Sequence, residues 1–429
     1  MRILLAIHNA YTDSTSGAAQ SMRILMQWLN QGGHECRVLA TARFDARPPD
    51  DLDAHLAALD VPLHRRPAAK AFVRSARKPA NTVVGRPTVD FTLESVPVTM
   101  LLTRAKSSSP AEQFEIDQFF FLLEDVFHQF RPDLLLTYGG HPVVIEAMRR
   151  AKRRGVRCVF SLRNQGYDNR KYFDHVDHVF TTSPYLTEIY RRKIGLRSVG
   201  IDSPIDWADA EAPEEMRRFV TFVNPSLAKG AMLFARLADM LGARRPDIPI
   251  LVVQSATKAG QLNAIPGIDF GKYPHIMVAP ATPRPADFFA LTRILLVPTV
   301  VDESFGRVAA EALINGIPPL VSDRGALPQT LHGAGRVIPL PAWLTDTSQM
   351  LPSVSEAQPW FDAVCELWDD AGAYAEASAR ARETAERWYS EPVMRQRYLD
   401  YFASLEAGSP LFDDPAPLPI VGVRDDQSS

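Results

Sequence analysis

The 429-residue chain has no apolar run of membrane-spanning length and only three cysteines, Cys36, Cys158 and Cys365. A spanning helix needs about 20 consecutive apolar residues, so no transmembrane segment is expected. The cysteines are far apart and show no metal-type spacing, which suggests ordinary buried thiols in a reducing compartment. The opening MRILLAIHNAYTDS lacks a small-residue cleavage site and reads as a first buried strand. A cytoplasmic location is expected, with peripheral attachment at the inner face of a membrane as the alternative. His8, His34, His64 and His141 are scattered along the chain, and adjoining acids such as Asp302 and Glu303 point different ways, so no metal site is expected. The cluster RRAKRR at 149–154 fits the solvent side of one helix and lacks interleaved aromatics, which argues against nucleic acid as a partner.

Charge is nearly balanced overall, 47 Lys and Arg against 50 Asp and Glu. The balance hides an asymmetry. Residues 1–200 hold 28 basic against 20 acidic residues, and the remainder 19 against 30. A basic first half suits an anionic acceptor or a lipid surface, and solvated arginine is the ordinary alternative.

The length predicts two domains of similar size. RILLAIH, the polar loop NAYTDSTSGAAQS, the amphipathic SMRILMQWLNQGGH and the apolar ECRVLAT form a βαβ unit, with the loop at the carboxyl end of its first strand. Residues 44–113 are rich in proline and arginine and resist assignment. Regular alternation resumes at AEQFEIDQFFFLLEDVFHQF and completes a first doubly wound domain over 1–200. RFVTFV, PILVVQS, IMVAP and RILLVPT then alternate with helical segments to give a second domain over 201–385. One long surface helix is expected over roughly 359–388. A last helix, within 386–407, is expected to pack back on the first domain, and 408–429 reads as a flexible tail.

The most informative segment is VPTVVDESFGRVAAEALINGIPPLVSDRGALPQ, in which Glu303 and Glu311 are eight residues apart. The apolar ILLVP before it and the spacing of Val308, Ala309, Ala312 and Leu313 after it predict strand, loop and helix. Glu303 then lies beside a helix start, where the N–H groups of Gly306, Arg307 and Val308 and the helix dipole suit an anion. Glu311 falls about two turns on. Two carboxylates so placed suit a ligand with a diphosphate centre and hydroxyl groups at both ends. Glutamates are also common at helix starts and on solvated faces, so the pair alone is weak.

With the downstream INGIPPLVSDRG and Lys229-Gly230 opening a helix after RFVTFV, this segment resembles the Glu-x7-Glu signature of the retaining family 4 glycosyltransferases. The element order is similar to their GT-B fold, α/β with two Rossmann-like domains facing across a cleft. The resemblance covers most of the second domain and, loosely, the first. It implies a nucleotide-sugar donor as substrate, expected to carry UDP or GDP, with no further cofactor. Glu303 is implied to hold hydroxyls of the transferred sugar, Phe305 and Gly306 to present backbone donors, and Glu311 to accept from the ribose. Glycine at 306 allows close backbone approach, or serves a turn. Lys229 is implied to neutralise the departing diphosphate, with Ser226 adding donors.

The chain departs from the family in four places. Asn224 replaces an arginine five residues before the lysine, and Arg307 is a candidate for the missing charge. Leu162-Arg163-Asn164 stands where Leu-His-Asn is usual, and Arg163 suits a phosphate or anionic acceptor rather than proton acceptance. Gly17-Ala18 replaces a Gly-Gly pair, its N–H groups still suiting a diphosphate with help from Ser16. His141 follows Tyr138-Gly139-Gly140 at a strand end, as a site or cap residue. Asp323 and Gln329 lie in a loop near the expected sugar or base site, Gln329 where the family often has Glu. The expected activity is metal-independent, retaining transfer to a hydroxyl-bearing acceptor, which an anionic, membrane-linked or natural-product character would suit. A non-hydrolysing nucleotide-sugar epimerase and an inactive sugar-nucleotide-binding protein are the alternatives. No motif bears on oligomeric state.

Overall fold

A computed structural model of the chain describes residues 1–45, 48–67, 70–73, 81–104, 111–254, 272–282, 284–405 and 411–413. It divides into two compact units: Met1–Asp202 with the described residues from Arg395 onward, and Ser203–Met394. Each is a Rossmann-like α/β layer structure.

The first unit contains β1 (Arg2–Ala6), α1 (Gly17–Gln31), β2 (Glu35–Thr41), α2 (Leu52–Ala57), β3 (His64–Arg66), β4 (Lys70–Val73), β5 (Asn81–Val84), β6 (Thr88–Leu93), β7 (Val96–Leu101), α3 (Gln113–Phe130), β8 (Leu134–Thr137), α4 (Pro142–Arg153), β9 (Arg157–Leu162), β10 (His178–Thr181), α5 (Pro184–Ile194) and β11 (Val199–Gly200). Its main sheet runs β11-β10-β9-β8-β1-β2-β7-β6-β3, with β4 and β5 as a separate ribbon. The strands from β11 to β7 are parallel, and buried runs such as Leu134–Thr137 read as continuous apolar sequence because helices cover both faces.

The segment that resists assignment in sequence supplies the antiparallel extension β3-β6-β7. Its hairpin turns at Glu94 and Ser95, both with positive φ (50° and 67°). Two-residue turns of that kind usually carry Asn-Gly, so the ordinary hairpin signal is missing from the sequence.

The second unit contains α6 (Trp207–Ala210), β12 (Phe219–Val223), α7 (Ala231–Arg244), β13 (Ile250–Val253), β14 (Ile276–Ala279), α8 (Ala286–Phe289), β15 (Thr292–Val297), α9 (Arg307–Ile314), β16 (Pro319–Ser322), α10 (Leu327–Thr330), β17 (Arg336–Ile338), α11 (Val354–Asp369) and α12 (Ala371–Tyr389). The sheet order is β14-β13-β12-β15-β16-β17, parallel throughout. Phe222 stacks on Phe234 of α7 at 4.3 Å, and Trp360 of α11 is fully buried in the same core.

The single helix expected over 359–388 is in fact α11 and α12. Ser353 and Glu356 form a capping box that starts α11 earlier. Asp370 then leaves helical geometry (φ −97°, ψ 101°) and accepts from the Ala373 N–H, so one residue ends one helix and caps the next.

The last helix, α13 (Glu391–Ala403), puts Tyr398, Tyr401 and Phe402 around Phe180 of β10. Of the segment read as a tail, Leu411–Asp413 docks beside α5: the Arg197 N–H donates to the Leu411 carbonyl at 2.8 Å and the Arg197 side chain pairs with Asp413 at 2.6 Å. Residues 406–410 and 414–429 lie outside the described residues, as do parts of the arginine-rich stretch 65–78 and of GIDFGKYP, a loop expected to bear on base selection.

Candidate functional site

The chain runs outward from β12 to β13 and β14, then crosses back to β15 and continues to β16 and β17. Helices therefore leave the carboxyl ends of β12 and β15 in opposite directions, a topological switch where open α/β sheets bind ligands. Lys229 and Glu303 meet at this point. The Lys229 ammonium pairs with Glu303 Oε1 across 74 residues of sequence, and Thr299 Oγ1 donates to the same oxygen at 3.3 Å. The Lys229 and Glu303 side chains are 34% and 18% exposed, so the pair is partly wet rather than buried.

Three loops are tied together to hold it. The Val300 N–H donates to the Ala228 carbonyl at 3.1 Å, the Ala326 N–H to the Glu303 carbonyl at 2.8 Å, and Ser322 Oγ to the Thr299 carbonyl at 2.6 Å. Two glycines make the approach possible. Gly230 has φ 87°, and a Cβ there would lie 1.9 Å from the Pro298 carbonyl oxygen. Gly325 has φ 63°, and its Cβ would lie 2.3 Å from the Glu303 nitrogen. Gly306 has φ 87° at the start of α9, and a Cβ there would meet Leu327 at 2.6 Å, so turn geometry and packing demand glycine at this position. Phe305 beside it is buried edge-on against Tyr389.

Neither α7 nor α9 has a side-chain cap at its amino end, each starting on a left-handed glycine. Such starts leave N–H groups without a side-chain acceptor at a positive dipole end, although the first N–H of α7, that of Ala231, donates to the Ser226 carbonyl at 3.2 Å. Ser226 opens the 3-10 turn Leu227–Lys229, its N–H donating to the Asn224 carbonyl at 2.7 Å. Asn224 has φ 62°, and its buried side-chain oxygen has no hydrogen-bond donor among the described residues.

Glu311 lies further along α9 and is buried, 5% exposed. Burial pushes its pKa up, and Arg307, whose Nε donates to Glu311 Oε1 at 2.8 Å, opposes that shift. Arg307 also approaches the Pro204 carbonyl at 3.5 Å. Asp323 accepts from the Leu340 N–H at 3.3 Å, and Gln329 lies in α10. Sequence reasoning missed Thr299, although it stands two residues past β15 in the same loop as Glu303.

Arg163 and Gly17 belong to the first unit. Arg163 is half-buried just past β9, with Nη1 3.4 Å from Ser161 Oγ. Gly17 is the first residue of α1; Ser16 caps that helix and donates to Asp45 at 2.6 Å. This unit has its own switch, between β1 and β8, and there the expected scatter of histidines is corrected. His8 follows β1, His141 follows β8, and their rings lie 4.6 Å apart. His8 is 2% exposed, and among the described residues neither ring nitrogen has a hydrogen-bond partner. Burial, with His141 and Arg43 adding to it, lowers its pKa to about 3. His141 Nδ1 accepts from the Val143 N–H at 3.2 Å, so His141 caps α4. Among the described residues no group of three or more His, Cys, Asp or Glu is placed to hold a metal ion, and no helix is long and apolar enough to cross a membrane.

No protein-family model matches the sequence, and no curated protein does. The structure is similar to that of a glycosyltransferase from Rickettsia africae (TM-score 0.63, 12% identity, covering 95% of this chain and 99% of that one). It is also similar to Anabaena HepE in complex with UDP-glucose (TM-score 0.63, 13% identity, 94% and 100%). The catalytic domain of Arabidopsis thaliana starch synthase IV bound to ADP and acarbose matches with TM-score 0.62, 12% identity and coverage of 93% and 99%. At such identities the likeness carries the fold, which is GT-B.

Proposed function

We propose that the chain is a glycosyltransferase that moves a sugar from a nucleotide diphosphate sugar to a hydroxyl-bearing acceptor with retention of anomeric configuration. The observation that supports this most is the Lys229–Glu303 pair at the switch of the second unit, next to two helix starts without side-chain caps. HepE and starch synthase IV, which share the fold, were solved with UDP-glucose and with ADP.

In this reading the donor exchanges partners with the resting ion pair. The diphosphate draws Lys229 away from Glu303 and takes the N–H groups of Arg307 and Val308. Glu303, released, accepts hydrogen bonds from hydroxyls of the transferred sugar. Glu311 accepts from the ribose, and Arg307 opposes the upward pKa shift that burial imposes on that carboxylate.

The bond between the anomeric carbon and the phosphate oxygen breaks with its electron pair going to the phosphate, whose charge Lys229 stabilises. The acceptor oxygen bonds to the same face of the sugar, and its proton passes to the departing phosphate oxygen. The acceptor is assigned to the first unit, with Arg163 as its anion-binding group.

A thermal-shift screen of UDP, GDP and ADP tests the donor half. One of the three raises the melting temperature of the wild type, and the shift shrinks in Lys229→Ala. Incubation of the matching nucleotide-sugar with acceptor extract, followed by NMR of the product anomer, tests the rest. An inverted linkage, or an epimer formed without any acceptor, would overturn the proposal.

A further inference from the structure

The geometry points to a second anion site, for a phosphate group, at the amino end of the first unit's sheet. An open depression of 610 Å³ there is ringed by four arginines from four elements: Arg2 begins β1, Arg131 follows α3, Arg154 follows α4 and Arg157 begins β9. Asp133 is the one acid lining it among the described residues, and it is occupied by Arg2, accepting from its N–H at 2.7 Å and from Nη2 at 3.4 Å. Arg154 pairs with Glu124. Among the described residues the Arg157 guanidinium donates to the Leu405 carbonyl at 3.0 Å and to the Met1 sulfur at 3.5 Å, neither of them anionic. Arg131 is exposed and makes no ion pair among the described residues.

Helix dipoles account for part of this cluster, since cations are favoured at the carboxyl ends of α3 and α4. They do not account for Arg2 and Arg157, which open strands. Arg131 is the more unusual residue. It holds left-handed geometry (φ 49°, ψ 62°) at a helix end where glycine is favoured, so a cationic side chain occupies a position the backbone would give to glycine. Guanidinium forks match phosphate oxygens in pairs, and Arg131 and Arg157 are the two that no carboxylate among the described residues offsets. The ligand of the site is a phosphate-bearing anion, either a free phosphate compound or the phosphate of a lipid headgroup.

The test uses the full chain carrying Lys229→Ala in every arm, so that differences are read against a weakened site in the second unit. Inorganic pyrophosphate binding is measured by calorimetry, and cosedimentation is measured with phosphatidylglycerol vesicles against phosphatidylcholine vesicles. Arg131→Gly and Arg157→Met are introduced together. Glycine suits the backbone at 131 and methionine keeps an apolar stem at 157, so an unchanged melting temperature certifies the fold.

Binding about 10-fold weaker in the double variant is expected, with the affinity of the unsubstituted arm falling as salt rises. Loss confined to pyrophosphate identifies a free phosphate compound, and loss that includes the vesicles identifies a headgroup. Equal binding in both arms, or no binding of either probe before substitution, overturns the site.

Discussion

Replacing Glu303 by glutamine separates the two tasks that the partner exchange assigns to this residue. In the resting protein the carboxylate holds the Lys229 ammonium and takes a hydrogen bond from Thr299. The pair is a third exposed at the lysine end, so solvent screening places it near the upper limit for exposed pairs, about 1 kcal/mol. A diphosphate has to overcome that attraction to capture Lys229. The Glu303→Gln variant keeps the shape and loses the charge, so diphosphate binding tightens about fivefold.

Transfer moves the other way. A charge-assisted hydrogen bond to the sugar contributes about 2–3 kcal/mol, so kcat/KM with the nucleotide-sugar falls roughly 30- to 150-fold. Calorimetric titration of the diphosphate and steady-state turnover on the same preparation supply both numbers. Opposite signs are the diagnostic, because general damage to the loops weakens both. A variant that loses diphosphate affinity in step with turnover, or one that turns over normally, refutes the exchange.

Three further outcomes follow from the same geometry. Gly230→Ala forces a Cβ into the Pro298 carbonyl at a positive φ, and urea denaturation of the variant should show a loss of about 3 kcal/mol or more. Arg307→Met leaves Glu311 buried without its cation and costs about 3 kcal/mol, most of which returns in the double variant Arg307→Met/Glu311→Met, both read as chemical-denaturation midpoints. For His8, the folded pKa near 3 lies below the ordinary 6.5, so the unfolded chain binds a proton that the folded one refuses over that window. Stability therefore declines as pH falls from 6.5 toward 3, by about 1.4 kcal/mol per unit at most for this residue, and His8→Leu should flatten the measured slope by about one proton.

The sequence alone determined what depends on near neighbours. Apolar runs ending in polar loops marked β1, β12 and β15, and the spacing of Val308, Ala309, Ala312 and Leu313 marked α9, because strand and helix periods are written within a few residues. The Glu303-to-Glu311 segment and Lys229-Gly230 were legible as candidate site pieces for the same reason. The pairing of Arg307 with Glu311 was legible in principle, being one helical turn.

Local signals failed where the chain uses residues against type. Glu94 and Ser95 make a turn that asparagine and glycine usually make, and Asp370 breaks a helix that its neighbours would continue.

What only the tertiary structure decided is which distant loops share one place. Lys229 reaches Glu303, and His8 meets His141, because in each unit the chain crosses back to pair a later strand beside its first one. Sheet order is a global choice that no window of sequence contains. The need for glycine at 230 and 325 belongs to the same level, since the atoms their Cβ groups would strike arrive from the neighbouring loops.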